Sequence, residues 1–156
     1  MSLLTHRLQT SVTMNAPLVA VWDRLIQVSL YAGWNSIITA PADQSDIERL
    51  DQDVRVRLTP IGKPSQVVTV KIVEFVPHSR ITWLGHFKNV PWLVDGRHTL
   101  AVLPQGHDRT VLLHREDFRG ALVPLVKNAF LNRQMRPSFE AFDLALARSF
   151  PTASER

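Results

Sequence analysis

Residues 110–150 read TVLLHREDFRGALVPLVKNAFLNRQMRPSFEAFDLALARSF, and the apolar period changes in the middle of that stretch. Up to Gly120 side chains alternate. Thr110, Leu112, His114, Glu116 and Phe118 form one set, and Val111, Leu113, Arg115 and Asp117 the other. Arg115 and Asp117 belong in water, so the first set faces a core. Beyond Gly120 the period becomes 3.6, with Pro124 in the first turn, which predicts one long helix over Leu122–Phe150. Before Pro137 the residues Leu122, Leu125, Val126, Ala129 and Phe130 share a face. After it Met135, Phe139, Phe142 and Leu146 define a stripe rotated by roughly 100° or more. A proline inside a helix removes a backbone bond, so a bend is expected at Pro137.

Working backwards from Phe118, period two persists for about seventy residues, to Ile47. Strands are expected at Asp46–Leu50, Val54–Thr59, Gln66–Val76, Arg80–Lys88, Leu93–Leu103 and Arg109–Phe118, broken at Gly62–Pro64, Pro77–His78 and Gln105–Asp108. Connections this short favour antiparallel neighbours, because a parallel crossover needs a dozen or more residues. Upstream, Arg7–Met14 alternates as a strand. Asn15 then offers a helix cap and Pro17 a first-turn residue, and Leu18, Val21, Trp22 and Leu25 recur at helical spacing to about Gln27. A second short helix is expected from Ser29 to Gly33, and a loop over Ala40–Asp46. The fold class is α+β: a curved antiparallel sheet of about seven strands, two short helices after the first, and a long C-terminal helix. The 156 residues make one domain, 1–156.

Composition removes several kinds of chemistry. There is no cysteine, hence no disulfide framework, thiolate nucleophile or Cys-based metal site. No Ser-centred elbow, phosphate-cradling glycine loop or HExxH appears. The formal charge of +4 comes from arginines interleaved with acidic residues. A nucleic-acid footprint would gather them on one stripe, so no nucleic-acid partner is expected. Met1–Thr10 has no apolar leader core, and no run of about eighteen apolar residues occurs. A cytoplasmic location without stable membrane insertion is expected, as monomer or homodimer.

Alternation also names the concave face of the sheet. Ile81, Trp83, Gly85 and Phe87 point in from one strand, and Trp92, Val94, Gly96, His98, Leu100 and Val102 from the next. With the last strand this brings His98, His114 and Glu116 to one face, with His98 opposite His114 or Glu116 and diagonal to the other, at about 5 and 7–8 Å between Cβ atoms. A buried carboxylate is costly unless paired. Such a cluster suits a structural pair, a grip on a ligand's polar group, or acid–base chemistry with His98, His114 and Glu116 as the candidates. No metal or other cofactor is expected. The ligand lining is expected to comprise Trp34, Trp83, Phe87, Trp92, His98, Leu100, Leu112, His114, Glu116, Phe118 and Phe130, around a cavity between sheet and helix.

Four stretches carry a resemblance: Tyr-Ala-Gly-Trp-Asn at Tyr31–Asn35, Arg-Ile-Thr-Trp-Leu-Gly at Arg80–Gly85, Asp-Gly-Arg-His-Thr-Leu at Asp95–Leu100, and Thr-Val-Leu-Leu-His-Arg-Glu-Asp-Phe-Arg-Gly at Thr110–Gly120. In that order, with Pro124 following, the chain resembles the polyketide cyclase and dehydrase branch of the START-like, or SRPBCC, superfamily from about Arg7 to Phe150. It departs at Ser36 and Leu100, where that family often has proline and an aromatic residue. The resemblance implies a helix-grip fold and a small hydrophobic ligand, lipid-like or polycyclic aromatic and polyketide-like. A fold does not choose among functions. Three readings follow: a non-enzymatic binder, a cyclase- or dehydratase-like enzyme, and a protein-interaction module of the chaperone-activator kind.

Overall fold

The computed structural model describes residues 4–152. Seven strands form one antiparallel sheet: β1 Thr5–Met14, β2 Ile38–Thr39, β3 Asp53–Leu58, β4 Gln66–Val76, β5 Arg80–His86, β6 Asp95–Pro104 and β7 Thr110–Arg119. Their spatial order is β1-β7-β6-β5-β4-β3-β2, so every connection from β2 to β7 joins neighbours, and β1 lies beside the last strand. The alternation read from sequence holds in β7, where Thr110, Leu112, His114 and Phe118 are buried. In β4 the register shifts between Ile72 and Glu74, a bulge of the kind that bends and twists a strand.

Helix α1, Leu18–Ile26, buries Val21, Trp22 and Leu25 against the sheet. Its N-cap is Pro17, in extended conformation and without a side-chain cap, so the expected capping role of Asn15 is corrected. A 3-10 turn, Val28–Gly33, follows. Its sequence signature has a clear job. The Tyr31 hydroxyl donates to the Leu25 carbonyl at 2.6 Å, and the Asn35 side-chain oxygen accepts from the Ile37 and Ile38 amides at 3.0 and 2.9 Å. Those bonds set the chain into β2, a strand the alternation pattern does not reveal.

The strand expected at Asp46–Leu50 does not form. Ile47 is buried, but by docking its amide on the Ile26 carbonyl at the end of α1. The Gln52 side chain accepts from the Glu48 amide and donates to the Asp46 carbonyl, standing in for a strand partner. One buried isoleucine in a polar segment thus imitates a strand's period.

The C-terminal helix is three windings in series: α2 Val123–Val126, a π-wound segment Lys127–Met135, and α3 Arg136–Arg148. Pro137 therefore lies in the first turn of α3, where a missing N–H is harmless, and the change of winding falls just before it. The face expected for the first half is corrected as well. Leu125 is 79% exposed and Ala129 and Phe130 are exposed, while Val123 and Leu131 are buried. Beyond Val126 the π winding advances fewer degrees per residue than the α-helix assumed, so Leu131 rather than Ala129 or Phe130 turns inward. The second stripe holds: Phe139, Phe142 and Leu146 are buried.

Helix α3 closes the open side of the curved sheet by reaching both of its sides. Arg136 donates to the Gln9 carbonyl on β1, and the buried Ser138 hydroxyl accepts from the Ile61 amide in the β3–β4 turn, at 3.3 and 3.0 Å. Beneath it are two apolar clusters. The larger contains Trp22, Tyr31, Trp83, Leu100, Leu112, Phe142 and Leu146; the smaller contains Leu8, Phe118, Val123, Leu131 and Phe139.

Candidate functional site

A chain of polar groups lies where the two clusters meet. Strand pairing sets His98 directly opposite Glu116, while His114 pairs with Leu100, two residues further along β6 and so diagonal to His98. The register left open by the sequence is thereby fixed. His98 Nδ1 stands 3.4 Å from Glu116 Oε2, and His98 Nε2 stands 2.9 Å from His114 Nε2. His114 Nδ1 is 2.6 Å from Asp143 Oδ1 on α3. Trp83 stacks on His98 at 4.6 Å and 11°, and Phe139 on His114 at 4.1 Å and 8°. The rings leave each histidine little freedom except along the chain.

Asp143 is the residue that sequence reasoning missed. Its signal was there: it is four residues from Phe139 and three from Leu146, an acidic side chain on the apolar stripe of an amphipathic helix. Buried among rings, it requires a partner, and His114 supplies one. Burial holds the His114 ring below the ordinary histidine range; the hydrogen bond to Asp143 pulls the other way and is outweighed. The ring is therefore neutral at neutral pH, and its Nδ1 and Nε2 have distinct roles as donor and acceptor.

At the other end of the chain the Glu116 carboxylate lies flat over Gly96. A Cβ at residue 96 would fall 2.2 Å from Glu116 Oε1, so the glycine makes the space that the carboxylate occupies. Gly85 pairs with Gly96 across β5 and β6, and together they leave a stretch of the concave face without side chains.

Trp83, His98, Leu100, Leu112, His114 and Phe118 are all buried on the concave side as expected. Three other members of the expected lining are not gathered with them. Phe87 follows the end of β5 in a short turn where Lys88 has φ of 52°, and its ring is exposed. Trp92 is 78% exposed with φ of 53°, because 87–94 is a loop through which the strand period does not carry. Phe130 lies exposed on the π-wound segment. The loop is fastened to the helix: Ala121 and Leu122 amides donate to the Trp92 and Leu93 carbonyls. Gly120 permits that approach, since a Cβ there would lie 2.6 Å from the Leu93 carbonyl oxygen, at a φ of 145°. Trp34 packs against Tyr31 and Phe142, in the larger cluster rather than beside the histidines.

The single cavity expected around the histidines is occupied by their own neighbours, in ring contact from Trp83 through His98 and His114 to Phe139 and Phe142. Two recesses open to solvent instead. One, of about 670 Å³, lies between α1 and the end of α3, bordered by Arg24, Leu30, Trp34 and Arg148. The other, of about 340 Å³, lies between β1 and α3, bordered by Thr10, Arg136, Glu140 and Asp143. Among the described residues no three His, Asp or Glu side chains converge to hold a metal ion, and no helix is long and apolar enough to cross a membrane.

A curled seven-stranded sheet gripping a C-terminal helix, with a polar group among apolar ones on the concave face, defines the START-like helix-grip class. Residues 5–150 match the family model described as polyketide cyclase / dehydrase and lipid transport, and the chain belongs to that family. Among solved structures it is similar to the Zhui aromatase/cyclase of a Streptomyces species, at 19% identity over 93% of each chain with a TM-score of 0.72. It is similar also to a norcoclaurine synthase point mutant of Thalictrum flavum, at 13% identity over 94% of each chain with a TM-score of 0.67. A START superfamily protein from Mycobacterium smegmatis, at 15% identity, covers 93% of this chain and 97% of its own with a TM-score of 0.65. No curated protein matches the sequence. At these identities the likeness concerns the fold.

Proposed function

We propose that the protein binds a small hydrophobic molecule, lipid-like or polycyclic aromatic, between the sheet and the π-wound end of the C-terminal helix, and holds one hydroxyl of that molecule on Glu116. The observation that carries this reading is the Glu116 carboxylate. It lies on a glycine floor beside the smaller apolar cluster, one oxygen turned to His98 and the other, Oε1, with room made for it by Gly96. A carboxylate so placed has need of a donor, and a ligand hydroxyl supplies it while the ligand's body takes the apolar surroundings. The exposed Phe87 and Trp92 stand on the loop that is hydrogen-bonded to Ala121 and Leu122 just before α2, and the exposed Phe130 stands on the π-wound segment beyond α2; they give an apolar approach. Native mass spectrometry identifies what copurifies with the protein. Glu116→Gln then weakens calorimetric affinity for that molecule or its closest analogue by about three- to tenfold, the loss of one hydrogen bond at roughly 0.5–1.5 kcal/mol. Affinity unchanged in Glu116→Gln would overturn this anchor.

A second reading is favoured by Asp143. An imidazole oriented by a carboxylate and joined to a second imidazole is the arrangement that acid–base chemistry uses, and a cyclase- or dehydratase-like reaction would draw on it. The same experiment separates the two. Chemical change of the bound molecule by wild type, lost in Glu116→Gln with affinity intact, makes the protein an enzyme.

A further inference from the structure

Three hydrogen bonds join four titratable groups in the order Asp143, His114, His98, Glu116, at 2.6, 2.9 and 3.4 Å. Each bond needs one proton, so the chain is complete only with three. Two neutral imidazoles and two carboxylates carry two. With two protons, one bond would set two bare acceptors against each other inside the core, and two negative charges would share a site whose histidines are at most 5% exposed. The far end of the chain has an outlet. Asp143 is 3% exposed, its Oδ2 has no protein partner, and it borders the recess between β1 and α3 together with Thr10, whose hydroxyl is likewise without a protein partner. The charged groups at that recess are Arg136 and Glu140; Gln9, Ser11, Val12 and Leu144 complete it.

We propose that the chain is a proton relay through the core, holding three protons and linking the β1–α3 recess to Glu116 on the concave face. With both rings neutral it has two arrangements of equal composition. In the first, Glu116 carries a proton and donates to His98 Nδ1, His98 Nε2–H donates to His114 Nε2, and His114 Nδ1–H donates to an ionised Asp143. In the second, Asp143 is the acid and donates to His114 Nδ1, His114 Nε2–H donates to His98 Nε2, and His98 Nδ1–H donates to an ionised Glu116. Passing from first to second moves three protons by one bond each. Net charge stays at minus one, neither ring becomes a cation, and Glu116 changes from acid to base while Asp143 changes from base to acid. The shift thus carries one proton equivalent from Glu116 Oε2 to Asp143 Oδ1, on the carboxyl that borders the recess, without the core opening. Trp83 and Phe139, stacked on the two rings, keep them in line for that shift.

The relay is tested on the ligand-free protein, so its outcome is separate from whether Glu116 anchors a ligand. In Glu116→Gln the amide N–H donates to His98 Nδ1 and fixes the first arrangement; in Asp143→Asn the amide donates to His114 Nδ1 and fixes the second. Nitrogen-15 NMR of labelled histidines reads which ring nitrogen carries hydrogen. The expected result is opposite tautomers on both rings: His98 Nε2–H with His114 Nδ1–H in Glu116→Gln, and His98 Nδ1–H with His114 Nε2–H in Asp143→Asn. Each substitution thereby sets the ring it does not touch. The same pair of tautomers in both variants, or an imidazolium in either at neutral pH, overturns the relay. Should Asp143→Asn fail to fold, Glu116→Gln decides alone: His114 must be Nδ1–H, and His114 found as Nε2–H refutes the proposal.

Discussion

The two ends of the C-terminal helix solve the same packing problem differently. Helix α3 is tied to β1 through Arg136 and to the β3–β4 turn through Ser138, and it buries Phe139, Phe142 and Leu146 under the curve of the sheet. The π-wound segment Lys127–Met135 buries Leu131 alone, with Phe130 and the preceding Leu125 left in solvent. One end is a lid held at both sides; the other is held to β1 by the His6–Asn132 hydrogen bond and buries few apolar side chains. Regions with few buried contacts open at the least cost, so access to the concave face belongs at the second end, where the loop 87–94 also exposes its aromatic residues.

The difference is sharpest in the response to loss of a ring. Phe142 is fully buried and touches Tyr31, Trp34 and His114. Phe142→Ala removes that volume and leaves a cavity, so urea unfolding is expected to show a loss of about 3–5 kcal/mol. Phe130→Ala, on the π-wound segment, is expected to cost under about 1 kcal/mol. Equal costs would break the comparison.

Acid separates the two ends next, since His114 beneath α3 is held neutral by burial. The unfolded chain takes up a proton at this residue as pH falls through about 6.5, and the folded chain resists until a lower pH. Stability therefore decreases with falling pH in that window, by at most about 1.4 kcal/mol per unit from this ring, and the ring contributes no pH dependence above it. In His114→Gln, whose amide can still donate to Asp143, the acid-side loss between pH 7.5 and 5.5 is expected to shrink by up to that amount per unit. Denaturant midpoints at the two pH values measure it. An unchanged acid slope would mean that the ring titrates in the folded chain as it does in the unfolded one.

The sequence made the sheet legible wherever one face is buried and the period runs unbroken. Gln66–Val76 is β4 to the residue, and the concave series Trp83, His98, Leu100, Leu112 and His114 is buried as read. It failed where burial has another cause. Ile47 docks on a helix end, and β2 is set by Asn35 side-chain bonds that leave no trace in hydropathy. Of the candidate site, His98, His114 and Glu116 were legible because strand pairing joins them. Asp143 shows itself as an acid on an apolar stripe, but its partner was not legible, because the contact spans 29 residues from strand to helix and depends on how the helix lies over the sheet.

The smallest expected effect tests the winding itself. Counted at 100° per residue, Leu125 shares a face with Leu122, Val126, Ala129 and Phe130, and that face would be the natural one to lay on the sheet. Burying a polar amide there would cost several kcal/mol, combining lost apolar transfer with an unsatisfied group. In the structure Leu125, in α2, instead projects into solvent, while Val123 in α2 and Leu131 in the wider-turned π segment that follows turn inward, eight residues apart. Leu125→Gln is then a surface change, expected to move stability by no more than about 0.5 kcal/mol in either direction. Leu131→Gln, which places the amide in the smaller cluster with Leu8, Phe118, Val123 and Phe139, is expected to cost at least 2 kcal/mol more, by the penalty of burying an unpaired polar group at roughly 1–3 kcal/mol beyond the apolar loss. If urea unfolding ranks the two substitutions the other way, the segment is wound as an ordinary α-helix, and the looser end of the helix is as firmly packed as α3.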